Sequence, residues 1–122
     1  MVTNVTSFSR SGLSDFVIQR ISAVILALYT ACIVGFFVVT PNVDYATLSG
    51  FFGGQAMKVF STMALLATAA HAWIGMWTIG TDYVRDHYFG SGATVYRFIY
   101  LAVCLFVLFL YVVWGLQIFW SL

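Results

Sequence analysis

Residues 98–122 read FIYLAVCLFVLFLYVVWGLQIFWSL, a run of 25 residues without a charged side chain. Two earlier uncharged runs, at 21–43 and 59–81, have 23 residues each. A helix of 23 residues is about 35 Å long, enough to cross a hydrocarbon core of about 30 Å. Polarity does not alternate along these runs, which argues against the spanning strands of a β-barrel. The sequence therefore predicts three transmembrane helices, near residues 15–39, 57–80 and 95–120.

The composition excludes the ordinary soluble classes. Of 122 residues, 62% are hydrophobic and only 9 are charged (5 Lys+Arg and 4 Asp+Glu), whereas a soluble domain of this length carries roughly 30 charged residues. The net charge of +1 leaves no basic patch for nucleic acid. Residues 1–14 are polar and lack the apolar core of a signal peptide, so the first span is expected to be a mature helix. We expect one all-α membrane domain over residues 1–122, in contact with lipid.

The basic residues predict an orientation. Lys58 lies on one side of the predicted spans, and four arginines lie on the other: Arg10, Arg20, Arg85 and Arg97. Cytoplasmic loops carry the excess of Lys and Arg, so we expect a cytoplasmic N-terminus and a C-terminus on the opposite side. The cysteines, Cys32 and Cys104, lie within spans and in no CxxC pattern. We interpret them as packing residues, because iron–sulfur, zinc and covalent haem sites need such patterns.

His71 lies midway along the second predicted span, where a histidine is costly unless it has a partner. Residues three, four or seven positions away share its side of the helix and are all small: Ala64, Ala67, Thr68, Gly75 and Thr78. A flat surface with one nitrogen donor suits haem. The alternative is close helix packing through the small residues, with His71 bonded to a neighbouring helix. The other histidine, His87, falls in a loop, so a second haem ligand would come from another chain.

Asp82 and Tyr83 follow at the end of the same span. Asp82 is 11 residues beyond His71, which returns it to nearly the same side of the helix about 16 Å further along. Arg20 begins the first span at the same depth. A phenol, a carboxylate and an arginine at one membrane surface suit a lipid-soluble quinone, which needs donors at its carbonyls and protons on reduction. Alternatively, these residues only anchor the helices at the interface, with Asp82 paired to Arg85.

Two motifs stand out together: HAWIGMW at residues 71–77 and TDYV at residues 81–84. They resemble the hydrophobic membrane anchor subunit of bacterial succinate dehydrogenases, the smaller of the two anchors. The resemblance extends over nearly the whole chain and implies three helices that pack with a partner anchor into a haem-bridged bundle. Further matching segments are Asp15-Phe16 through Arg20, Val34-Gly35-Phe36-Phe37, Gly50-Phe51-Phe52, Lys58-Val59-Phe60 and Val112-Val113-Trp114-Gly115.

The resemblance implies a role for each candidate site residue. His71 corresponds to an axial ligand of the iron of a b-type haem, whose other ligand is a histidine of the cytochrome b556 subunit. Tyr83 corresponds to a tyrosine that hydrogen-bonds a ubiquinone carbonyl, and Asp82 to an acidic residue that supports this site. Arg20 corresponds to a basic residue near the haem propionates and the quinone pocket.

The resemblance also implies partners and a location. In this family a flavoprotein with FAD oxidises succinate, and an iron–sulfur subunit passes the electrons to ubiquinone at the bacterial inner membrane. This chain carries no flavin or cluster ligands, so we expect it to hold no complete active site alone. Two alternatives stay open: the anchor of a related fumarate reductase, and a non-redox three-helix scaffold. Residues 85–92 form a longer, more glycine-rich connection than the resemblance predicts.

Overall fold

A computed structural model describes residues 12–83 and 90–122, with every side chain in those ranges except those of Asp82 and Tyr83. The described ranges contain four α-helices and no strand. They are α1 (Gly12–Val39), α2 (Tyr45–Gly53), α3 (Gln55–Tyr83) and α4 (Ala93–Trp120). Three of them, α1, α3 and α4, are long and apolar enough to cross a membrane. The predicted all-α membrane fold with three spanning helices is confirmed, and each span extends two or three residues beyond at least one predicted boundary.

Helix α2 was not among the predicted elements. The prediction rested on runs long enough to span a membrane, and α2 has only nine residues. Asp44 caps its start: its Oδ1 accepts a hydrogen bond of 2.8 Å from the backbone N–H of Thr47. This bond stabilises the ionised carboxylate and lowers the pKa of Asp44 below its ordinary value. Gly54 has an extended backbone that ends α2, and its carbonyl accepts the N–H of Lys58 in the first turn of α3.

Helix α3 is the centre of the fold, because it packs against both α1 and α4. It is also the least hydrophobic and the most buried of the three spans. Five of the six buried hydrophobic side chains belong to it: Ala64, Leu65, Ala67, Trp73 and Ile74. Large apolar side chains cover the outside of α1 and α4. Such a surface would be unusual for a soluble monomer and suits contact with lipid or with other membrane helices.

Two polar contacts join α1 to α3. The hydroxyls of Tyr29 and Ser61 lie 2.6 Å apart, and Ser61 is fully buried. The hydroxyl of Ser22 lies 2.9 Å from a ring nitrogen of His71. The threonines of α3 are satisfied differently, because each of three hydroxyls donates to the carbonyl four residues earlier: Thr62, Thr68 and Thr78. Ser61 and His71 therefore use α1 for their hydrogen bonds, whereas these threonines use their own helix.

At the α2 end of the bundle, aromatic rings join the helices. Phe36 of α1 stacks on Phe51 of α2 with centroids 4.0 Å apart, and Phe52 stacks on Phe119 of α4. The indole N–H of Trp120 donates to the hydroxyl of Thr62 at 2.8 Å. The end of α4 is thereby held against the first turns of α3. At the opposite end, Gly90, with a left-handed φ of 70°, begins the 3-10 turn Gly90–Gly92 that leads into α4.

Gly115 of α4 lies against Leu65 of α3. A Cβ atom at this position would lie 2.6 Å from Cδ1 of Leu65, a side chain that is only 4% exposed. We expect Gly115→Ala to lower the thermal stability of the purified protein complex, since the side chain of Leu65 must move and such forced shifts cost about 1–3 kcal/mol. Truncating Leu65 removes the clashing atoms. The combined variant Gly115→Ala/Leu65→Ala should therefore lose less stability than the sum of the two single variants. Additive losses would contradict the contact.

Candidate functional site

His71 is positioned by a hydrogen bond from α3 to α1. Its Nδ1 lies 2.9 Å from Oγ of Ser22, and Ser22 is 4% exposed. The Ser22 hydroxyl donates its single hydrogen to the carbonyl of Gln19 at 3.1 Å. The contact between Ser22 and His71 fits either tautomer of the ring. With the Ser22 hydrogen on the carbonyl of Gln19, Ser22 accepts from His71, and Nδ1 is the protonated nitrogen. The lone pair of the imidazole then lies on Nε2.

This arrangement fits a haem iron ligand. Metal-binding histidines donate their second ring N–H to a protein acceptor, which fixes the tautomer and the orientation of the ring. Ser22 provides that acceptor, so His71 presents the nitrogen that a metal needs. The described residues contain no cluster of three His, Cys, Asp or Glu side chains that could hold a metal ion. The described residues also contain no second histidine, so a haem held by two histidines needs the other one from outside them.

The small-residue side of α3 divides into two parts. Ala64 and Ala67 are 4% and 6% exposed, and Ala67 lines a groove with residues of α1 that include Ser22. At Gly75, one turn beyond His71, no heavy atom lies within 4 Å of where a Cβ would be. Close packing of helices thus uses one part of the predicted flat surface, and open space borders the other. The burial of Ala64 and Ala67 and the bond of His71 to α1 agree with the packing interpretation, and haem binding on the open part stays a prediction.

A polar cavity of about 380 Å³ lies between the start of α1 and the end of α3. Its walls combine charged and hydroxyl-bearing side chains with aromatic ones: Asp15, Phe16, Gln19, Arg20, Ile74, Trp77, Thr78 and Thr81, together with Gly12. The guanidinium of Arg20 lies 4.5 Å from the centre of the Phe16 ring. The structure therefore brings Arg20 to the same cavity as Thr81, the residue before Asp82.

Two buried polar atoms of this cavity's lining residues have no hydrogen-bond partner among the described residues: Oε1 of Gln19 and Nε1 of Trp77. Leaving a buried polar atom unpaired costs about 1–3 kcal/mol. The polar cavity is thus lined by Gln19 and Trp77, each with an unpaired buried polar atom, and by the charged side chains of Arg20 and Asp15. An apolar cavity of about 450 Å³ lies between α3 and α4. Ile74 lines both this cavity and the polar one.

Comparison with known proteins assigns the chain to a family. Residues 3–114 match the family described as Succinate dehydrogenase/Fumarate reductase transmembrane subunit. The chain is also 33% identical over 112 residues to the succinate dehydrogenase hydrophobic membrane anchor subunit of Coxiella burnetii (strain RSA 493 / Nine Mile phase I). That alignment covers 92% of this chain and 91% of its relative.

The chain belongs to the succinate dehydrogenase/fumarate reductase transmembrane subunit family.

Membership gives the anchor its general role. It is a membrane anchor subunit of an oxidoreductase complex and has partner subunits in that complex. The resemblance stated from the HAWIGMW and TDYV motifs is confirmed. The interpretation as a non-redox scaffold disagrees with this membership.

The predicted site residues of the anchor fall at two levels of α3. His71 lies near the middle of the helix, and Asp82 and Tyr83 are its last two residues. The side chains of Asp82 and Tyr83 lie outside the described residues, as do Asp86 and His87 in the segment 84–89. Their proposed contacts and the connection to α4 stay predictions.

Sequence reasoning missed three residues of the anchor that the structure adds: Ser22, Gln19 and Trp77. Ser22 and Gln19 are polar residues in the first three turns of an otherwise apolar helix, which is a signal that could have singled them out. Trp77 lies inside the HAWIGMW motif, where it reads as an interfacial anchor. Each becomes notable only because α1 and α3 meet beside it.

Proposed function

We propose that this anchor binds a b-type haem through Nε2 of His71 and forms part of the ubiquinone reduction site of a succinate dehydrogenase complex. The observation that carries the proposal is the hydrogen bond from Nδ1 of His71 to Ser22. It supports the tautomer that a metal ligand requires, at a depth in the membrane where an unpartnered histidine is costly. Bound haem would supply a one-electron carrier, and a histidine of the cytochrome b556 subunit would provide the other ligand.

The polar cavity supports the second half of the proposal. Arg20 and the indole N–H of Trp77 supply positive charge and a donor for the haem propionates or a quinone carbonyl. A quinone also carries an apolar tail, and the adjoining apolar cavity offers matching surface. Tyr83 donates its phenol hydrogen to a ubiquinone carbonyl, and Asp82 holds that site together with Arg20. Reduction of the quinone takes up protons at the same membrane surface.

The rest of the complex follows from this role. The flavoprotein subunit with FAD and the iron–sulfur subunit attach on the side where α1 begins and α3 ends. The positive-inside rule makes that side cytoplasmic, because Arg20 and Arg97 lie there and Lys58 lies at the other end. We place the complex in the bacterial inner membrane. This chain alone holds no complete active site.

A reduced-minus-oxidised absorption spectrum of the complex purified through this chain tests the proposal. The expected result is a b-type haem signal, with succinate-dependent reduction of ubiquinone in the same preparation. A complex that contains all four subunits and shows no haem signal would contradict it. The chain would then be a haem-free anchor, as in some related fumarate reductases.

A further inference from the structure

We propose that Ser22 is a positioning residue for the haem ligand, which fixes the tautomer and the ring orientation of His71. This inference rests on the proposed binding of haem by His71. It concerns a residue of α1 that neither the motifs nor the comparisons single out.

The burial of Ser22 is unusual for its helix. It is the buried side chain of α1, a helix whose other side chains are half-buried or exposed. A serine in an apolar span could satisfy its hydroxyl on its own backbone alone, as Thr68 and Thr78 of α3 do. Ser22 also bonds a carbonyl of its own helix, that of Gln19. Its hydroxyl hydrogen is thereby directed away from His71, and its oxygen is left to accept.

The direction of the two hydrogen bonds that link His71, Ser22 and Gln19 has a chemical consequence. The N–H of His71 donates to Ser22, and the O–H of Ser22 donates to the carbonyl of Gln19. Without the Ser22 oxygen, no described acceptor distinguishes the two tautomers or holds the plane of the ring. An acceptor at Nδ1–H also makes the imidazole a better electron donor to a metal, which favours the oxidised iron. Losing it should therefore raise the midpoint potential of the haem.

The test is a redox titration of the haem in the purified complex, together with the electron paramagnetic resonance spectrum of the oxidised form. Ser22→Ala is expected to shift the midpoint potential upward and to broaden or displace the low-spin signal. The affinity for haem should fall by about 10–100-fold, the usual effect of removing a group that orients a metal ligand. Ser22→Thr keeps the hydroxyl and should restore the wild-type potential.

Ser49→Ala is the matched control. Ser49 makes the same bond to a carbonyl three residues earlier, in α2, and it is far along the chain from His71. It should leave the potential unchanged. A haem-containing Ser22→Ala complex with wild-type potential and spectrum would overturn the proposal. If the alanine variant does not assemble, Ser22→Cys replaces the oxygen by a weaker acceptor, and an unshifted potential there would overturn it equally.

The outcomes separate this inference from the function on which it rests. A wild-type complex without haem would contradict the proposed function itself. A wild-type complex with haem, together with unchanged Ser22 variants, would contradict only the positioning role.

Discussion

Replacing His71 by alanine is expected to remove the b-type haem from the complex. Groups that only orient a metal ligand cost about 10–100-fold in affinity when removed, so loss of the ligand itself should cost no less. The haem-to-flavin ratio of the purified complex should fall to less than about a tenth of the wild-type ratio. The helix should persist, because alanine is the residue most favourable to a helix and Ser22 keeps its bond to Gln19.

His87→Ala is the control for this experiment, because it removes the other histidine of the chain. That variant should retain the haem at the wild-type ratio and with the wild-type spectrum. A normal haem signal in His71→Ala would remove His71 as a ligand. The hydrogen bond to Ser22 would then serve the packing of α1 against α3 only.

Replacing Tyr83 by phenylalanine is expected to slow quinone reduction without affecting assembly. The substitution removes one hydrogen-bond donor to the quinone carbonyl and retains the ring. Removing one donor to charge that develops on an oxygen costs about 100–1,000-fold in rate at an oxyanion hole, so turnover with ubiquinone should fall by at least tenfold. Succinate oxidation with a soluble acceptor that takes electrons before the quinone site should stay at the wild-type rate.

Tyr45→Phe gives the matched control. Tyr45 begins α2 at the opposite end of the bundle and is 79% exposed. The same loss of a phenol there should change neither assay. Equal quinone turnover in wild type and Tyr83→Phe would exclude Tyr83 as the donor and would leave the polar cavity residues Arg20 and Trp77 as the groups to examine.

The spanning helices were predictable because charge is confined to short segments between long apolar runs. Asp44 was a visible start signal for α2, but the segment is short and half-apolar, so its helix depends on the aromatic contacts of Phe51 and Phe52. Helical periodicity correctly grouped Ala64, Ala67 and Gly75 on one side of α3. Periodicity alone could not predict that α1 packs against part of that side.

At the candidate site too, sequence patterns predicted the residue but not its tertiary partner. His71 was predictable because a lone histidine at membrane depth requires a partner. The partner of His71 was not predictable, since Ser22 is 49 residues away along the chain and the pairing depends on the register of α1 against α3. The unpaired atoms of Gln19 and Trp77 likewise arise from tertiary packing.

The division of hydrogen bonds along α3 also bears on the biosynthesis of the chain. The least hydrophobic span carries the proposed haem ligand, and two of its polar groups, on Ser61 and His71, are satisfied by Tyr29 and Ser22 of α1. Helix α1 leaves the ribosome first, so both partners are already in the membrane when α3 enters it. We therefore expect α1 to provide hydrogen-bond partners for α3 as α3 inserts. A chain rearranged so that α1 followed α3 would place an unsatisfied imidazole in lipid during translation, and such a chain should insert poorly even with every residue retained.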